Sequence, residues 1–278
     1  MRKLGLLLLP VCAGVMIAGC GQKAEEKAWL YPKKEAQAAA RCAFPLMDWH
    51  IHIRGGMTPQ KATERWVDSH YIGSAVLENV GREWPLSNNV VLAKFIADCK
   101  PLPVGIQVND RDWYKQIDPT VYEQLDFVLA DTMIMGVTAE GKPRRLWLPD
   151  VEIADADAWM EEYMAHNLRI LDEPVSILAN PTYLPSCISN QYERLWTEDR
   201  MRAVIAKAIE NGVALEIQAE SGYPKHSFIR LAKQMGAKFS FGTNNFDDKV
   251  KDLSAWFDAI EQCGLEGSDL APIRRRPL

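Results

Sequence analysis

The chain has 278 residues, 47% of them hydrophobic and 25% charged, with 32 basic against 37 acidic side chains and a net charge of −5. That balance excludes a disordered chain, a collagen-like fibre and a polytopic membrane protein, and the acidic excess argues against a nucleic-acid partner, which selects a basic face. The length suits one large α/β domain or two small ones.

Residues 1–20 carry an address. Arg2 and Lys3 precede an apolar stretch from Leu4 to Ile17 that is too short to span a bilayer. Ile17-Ala18-Gly19-Cys20 resembles the bacterial lipobox, so residues 1–19 are expected to be a lipoprotein signal peptide cut before an acylated Cys20. Residues 20–40, polar, Ala-rich and mixed in charge, read as a tether between membrane and domain. Gly21 stands where Asp would signal inner-membrane retention, which favours the periplasmic side of the outer membrane of a bacterial cell envelope. The lipid is then the expected membrane contact.

From residue 41 to 265, β-rich runs alternate with helical ones. The runs fall at 46–53, 72–78, 104–108, 127–132, 175–179, 214–218 and 238–242. Helical segments follow at 58–70, 88–98, 155–171, 198–210, 225–234 and 249–262. Thr58-Pro59 supplies an N-cap and first-turn pair, and Asn211-Gly212 and Met235-Gly236 supply C-caps. Alternation of this kind predicts a parallel sheet covered by helices. No GxGxxG follows the first run, so a closed or nearly closed barrel is preferred over a doubly wound open sheet. Residues 266–278 read as a C-terminal tail. Cys42, Cys99, Cys187 and Cys263 show no metal-binding spacing; Cys42–Cys263 is the expected bridge if one forms, with Cys42–Cys99 as the alternative.

Polar side chains gather where such a barrel places its active face, at the carboxyl ends of the strands. Asp48, His50 and His52 alternate and are expected to share one face, and an HxH pair can hold one metal ion through two imidazoles. The later runs end in Asn79, Gln107 with Asn109, Asp131, Asn180 and Asn244, and the sixth carries Glu216. Asn and Asp suit turns, which explains any one of these. It does not explain Glu216 inside an apolar strand, where a carboxylate needs a partner. Arg82-Glu83-Trp84, Arg111-Asp112-Trp113 and Arg144-Arg145-Leu146-Trp147 place arginine beside tryptophan in loops, suited equally to a packed ring under solvated charge and to an anionic or sugar-like ligand. His70, His166 and His226 fall in helical segments, are expected at the surface and are given no role.

At these residues the chain resembles the PHP superfamily, named for polymerase and histidinol phosphatase domains. Asp48-Trp49-His50-Ile51-His52 looks like its DxHxH motif, Ile177-Leu178-Ala179-Asn180-Pro181 is similar to its "ILAHP", and residues 215–244 are similar to its late "LEIN…FI.LAK..G…FGSDAH" region. The resemblance covers residues 44–262 and implies a single-domain α/β protein with a distorted (β/α)7 TIM-like barrel. It also implies divalent metals and hydrolysis of phosphoesters. This sequence departs from the family at Glu78-Asn79, Gln107, Asp131, Asn180, Asn244 and Phe246, which stand where metal ligands are usual. Only the HxH pair remains.

Two expectations follow. The first is a divergent metal-dependent hydrolase, phosphoesterase-like, with one zinc or manganese ion on His50 and His52. A carboxylate, Asp131 or Glu216, would complete the catalytic set, and Asp48 would orient a histidine. Asn79, Gln107, Asn109, Arg111, Asn180 and Asn244 would hold a small polar or anionic substrate. The second is a catalytically inactive ligand-binding lipoprotein on the same barrel, its amides recognising the ligand through hydrogen bonds.

Overall fold

In the computed structural model, residues 33–65, 72–138 and 140–278 are described. The expected signal peptide, Cys20, most of the expected tether and His70 lie outside them. The elements in chain order are α1 (Lys33–Arg41), β1 (Leu46–His52), α2 (Pro59–Glu64), β2 (Ile72–Val80), α3 (Asn89–Cys99), β3 (Val104–Val108), α4 (Pro119–Tyr122), β4 (Phe127–Asp131), β5 (Ile134–Val137) and β6 (Pro143–Arg145). There follow α5 (Ala156–Asp172), β7 (Ile177–Ala179), α6 (Tyr192–Leu195), α7 (Glu198–Glu210), β8 (Ala214–Gln218), α8 (His226–Met235), β9 (Phe239–Gly242) and α9 (Ser254–Cys263).

Seven parallel strands close into a TIM-like barrel in the order β1-β2-β3-β4-β7-β8-β9, and β1 returns to β9 through Asp48 and Phe241. The strands are short and nearly continuous in apolar residues because both of their faces are buried. One face meets the helices in a large outer core. The other fills the barrel with Ala75, Leu77, Phe127, Leu129, Ile177, Ala179 and Ala214. Gly105 makes room for Phe127: a Cβ there would lie 2.6 Å from the ring. Trp49 meets the same ring edge-on, with centroids 5.2 Å apart.

The register of β1 on β2 shifts between Asp48 and Ile51, inserting one extra residue. This bulge overturns the expectation that Asp48, His50 and His52 share a face. Trp49 turns inward with the barrel-filling side chains, while Asp48 is directed away from the histidine rings. Its carboxylate accepts from Thr243 N–H (3.0 Å) and Thr243 Oγ1 (2.6 Å), and lies 3.9 Å from the buried Arg65 guanidinium.

The amino end of the barrel is covered by the last residues of the chain. Leu270 bridges to Phe239, Ala271 N–H donates to Phe239 O, and Ala271 and Ile273 pack on the interior cluster. Tyr122 Oη donates to Arg276 O (2.6 Å) and Ser176 Oγ donates to Arg274 O (2.9 Å). Residues 270–276 are therefore part of the domain rather than a tail. At the other terminus, α1 occupies the end of the expected tether and buries Ala39, so the domain begins ahead of residue 41.

Cys42, Cys99, Cys187 and Cys263 are free thiols. The expected Cys42–Cys263 and Cys42–Cys99 bridges do not form: the Cys42 thiol is turned to Ala38 O within its own helix, and that of Cys263 to His226 O. No helix among the described residues is long and apolar enough to cross a membrane.

Candidate functional site

At the carboxyl ends of the strands lies a cleft of about 570 Å³, lined by His52, Arg54, Gly55, Asn79, Trp84, Gln107, Asp131, Met133, Ile134, Arg145, Trp147, Asn244 and Phe246. Alternation along the strands puts Asn79, Gln107 and Asp131 one step above Leu77, Gly105 and Leu129, so the interior changes from apolar to polar in one layer. Beneath the lining sit His50, Asn180 and Glu216, all essentially inaccessible to water.

Two carboxylates fix the polarity of this layer. Glu216 Oε1 meets His50 Nδ1 at 2.6 Å, and Glu216 Oε2 accepts from Asn180 N–H at 3.1 Å. Asp131 accepts from Met133 N–H (2.9 Å), from Asn180 Nδ2 (3.2 Å) and from Gln107 Nε2 (3.3 Å). With its amide nitrogen committed to Asp131, Gln107 turns Oε1 toward His50 Nε2, 3.0 Å away. His50 thus has an oxygen at hydrogen-bonding distance from each ring nitrogen, an arrangement that favours its protonated form. Burial opposes that charge, but the Glu216 carboxylate and its hydrogen bond, with Asp131 and Gln107, outweigh it and hold the His50 pKa above its ordinary value. Burial raises that of Asp131 despite its three donors.

A chain of amides runs the other way round the cleft. Gln107 Nε2 also donates to Asn109 Oδ1 (3.2 Å), Asn109 Nδ2 to Asn79 Oδ1 (2.7 Å), and Asn79 Nδ2 to Glu78 Oε1 (3.2 Å). Glu78 Oε1 also accepts from Asn79 N–H (2.7 Å) and meets His52 Nδ1 (3.2 Å), while Arg54 Nε stands 3.6 Å from Glu78 Oε2. Burial, together with the charges of His50 and Arg54, outweighs Glu78 and lowers the His52 pKa to about 4. The two histidines of one motif therefore shift in opposite directions, His50 upward and His52 downward. Nδ1 of His52 stands between Glu78 Oε1 (3.2 Å) and the guanidinium of Arg54, whose Nη2 lies 3.3 Å away, and the ring lines the cleft.

The backbone supports this layer. Gly242 of β9 lies against the ion pair, and a Cβ there would collide with Glu216 Oε1 and come within 2.7 Å of His50 Cβ. Asn180 and Asn244 both have φ of 50°, the left-handed region that asparagine tolerates better than most residues. Amides at the ends of β7 and β9 thus answer a backbone demand as well as a chemical one.

Of the residues read from sequence, His52, Asn79, Gln107, Asp131 and Asn244 line the cleft, and His50, Asn109, Asn180 and Glu216 join its network. Arg111 does not. It pairs with Glu173 at 2.9 Å beside α5, away from the cleft lining, and Trp113 is core. Asp48 touches His50 only through the backbone N–H, at 3.1 Å, so it cannot orient the ring. His166 is half-buried rather than superficial; burial and the nearby Arg111 and Arg169 lower its pKa to about 3. His226 pairs with Asp258 at the surface (3.1 Å).

Arg54 is not among the residues expected from sequence, nor is the hairpin form of the loop after β4, where β5 and β6 put Met133 and Ile134 over the cleft together with Arg145 and Trp147 of the expected Arg-Trp loop; Glu78, noted at its strand end, joins the network. Arg54 was detectable: it continues the two-residue step of His50 and His52.

His50 is hydrogen-bonded at both ring nitrogens, to Glu216 and Gln107, and Glu216 bridges His50 and Asn180, so a metal ion on His50 would have to displace one of these contacts. Among the described residues, no three His, Cys, Asp or Glu side chains converge as a metal-holding group. No protein-family model and no curated protein matches the chain.

Proposed function

We propose that the chain is a ligand-binding lipoprotein of the bacterial cell envelope, built on a divergent PHP-like barrel whose cleft takes a small polar molecule. The observation that carries this reading is the double engagement of His50 by Glu216 and Gln107. It commits both ring nitrogens of the histidine to hydrogen bonds and, through Gln107, joins them to the amides of Asn109 and Asn79, an arrangement suited to recognising a polar ligand. Asn79, Gln107 and Asn244 offer the ligand donors and acceptors, and Trp147 and Phe246 offer it apolar walls. The test is metal analysis of protein purified without a histidine tag, joined to thermal denaturation with and without a chelator. The reading expects no stoichiometric zinc or manganese and an unchanged melting temperature. One bound ion that is lost in His50→Gln overturns it.

A second reading, hydrolysis, is favoured by one feature. His52 lines the cleft, is held by Glu78 and Arg54, and has a pKa lowered to about 4, so it is neutral at pH 7 as a general base must be. Turnover of a phosphoester panel that disappears in His52→Gln supports it; none in the wild-type protein removes it.

A further inference from the structure

We propose that the ligand of this cleft carries an oxyanion, a carboxylate or phosphoryl group, and that Arg145 on the inserted hairpin is the residue that selects it. This deepens the ligand-binding reading and rests on it. The cleft's carboxylates are already committed: Glu216 to His50 and Asn180, Asp131 to three N–H donors, and Glu78 to His52, Asn79 and Arg54. Arg145 is the contrast. Among the described residues its guanidinium donates to no protein acceptor and pairs with no carboxylate, although it lines the cleft.

It is nonetheless held in place. Its Cζ lies over the ring of Trp84 at 5.4 Å and over that of Trp147 at 5.9 Å, both within cation–π range. Its backbone pairs with Ile134 across the hairpin. The next residue, Leu146, is fully buried, and its N–H donates to Met133 O at 2.8 Å. Cation–π contact with two indoles engages the guanidinium without using its N–H donors, the part that binds a carboxylate or phosphoryl group through two parallel hydrogen bonds. An arginine oriented by aromatic rings and left without an anion is prepared for one from outside the chain. Arg54, 39% exposed, lines the same cleft with part of its charge offset by Glu78, so the second cation reinforces the first. Trp147, 42% exposed, and Phe246, 48% exposed, are available to the ligand's less polar part.

The experiment uses matched pairs that differ by the charged group alone: glycerol and glycerol phosphate, glucose and glucose 6-phosphate, succinamide and succinate. Binding is followed by tryptophan fluorescence and calorimetry on the folded barrel. The charged member of at least one pair should bind about tenfold or more tighter than its neutral partner, and the preference should shrink as salt is added. Arg145→Met, which keeps a stem to pack on the rings, should erase the preference. Arg144→Gln, one residue away, should retain it. Because Arg145 is exposed, an unchanged melting temperature will show that the variant folds. Equal binding of charged and neutral members, or a preference that survives Arg145→Met, overturns this inference and leaves the ligand-binding reading standing. No binding by either member of any pair overturns both.

Discussion

At the amino end of the barrel, Ala271 and Ile273 from the last residues of the chain pack against the interior cluster to which Phe127, Leu129 and Ile177 belong. At the carboxyl end the same strands finish in His52, Asn79, Gln107 and Asp131 around an open cleft. The first end is held by apolar contact, which is non-directional and tolerates local repacking. The second is held by hydrogen bonds whose direction is set by Glu216, Asp131 and Glu78, so each amide has one permitted orientation. The apolar closure and the polar cleft are separated along the barrel axis. One end can lose a contact and relax, whereas the other must keep its network whole or leave buried polar groups unsatisfied.

The sharpest way to break the comparison is at the Glu216–His50 pair, where the largest effect is expected. Glu216→Ala leaves His50 buried without its carboxylate partner and Asn180 N–H without its acceptor. The expected loss is about 3–5 kcal/mol in urea denaturation. Replacing both partners, His50→Leu with Glu216→Leu, should return most of that stability while abolishing ligand binding, because a buried pair exchanged for apolar groups is often neutral. A double variant no more stable than the single one would show that the pair is not the unit holding this end together. Gly242→Ala acts at the same point by overpacking and should cost about 1–3 kcal/mol.

Next in size is a pH effect confined to the cleft end. His52 has its pKa lowered from 6.5 to about 4, so its neutral burial contributes stability that is present above 6.5 and is lost as pH falls through that interval toward 4. His50 works in the opposite sense. Its raised pKa gives a contribution that is complete below 6.5 and fades as pH rises through its folded-state value. Denaturation measured across pH should show His52→Gln flatter than wild type between 6.5 and 4, and His50→Gln flatter than wild type above 6.5. Ile273→Ala, at the far end, should keep the wild-type profile. A flattened profile in Ile273→Ala would mean that the two ends titrate as one.

Much of this division was legible in the sequence, and its failures have physical causes. Continuous apolar runs locate all seven barrel strands, two of them, Val104–Val108 and Ala214–Gln218, with the expected boundaries. The polar residue ending each run pointed to the cleft, and Glu216 within an apolar strand pointed to a buried partner. Asp48 was misplaced because a one-residue bulge reverses face alternation and leaves no mark in composition. The last helix starts at Ser254 rather than 249, because Asn245 and Asp247 side chains bind the backbone around Lys249 and compete with the helix. The hairpin was read as loop because its strands are only four and three residues long. The role of residues 270–276 was hidden because it uses backbone carbonyls of Arg274 and Arg276, which any sequence possesses.

Those carbonyls give the smallest test and the one that most sharpens the contrast between ends. Tyr122 is buried, its hydroxyl donates to Arg276 O at 2.6 Å, and Arg275 lies over its ring at 4.9 Å. Tyr122→Phe removes the hydroxyl and keeps the ring, so the amino-end cover loses one hydrogen bond while its apolar packing persists. The expected loss is about 1 kcal/mol, the net worth of a typical intramolecular hydrogen bond. Ligand affinity should not change, because the hydroxyl has no bond to any member of the Glu216–His50–Gln107 network, and sites without shared partners behave additively. Combined with Glu216→Ala, the two losses should therefore sum. A combined loss well short of the sum, or a shift in affinity from Tyr122→Phe alone, would show that the apolar cover communicates with the cleft through the barrel core.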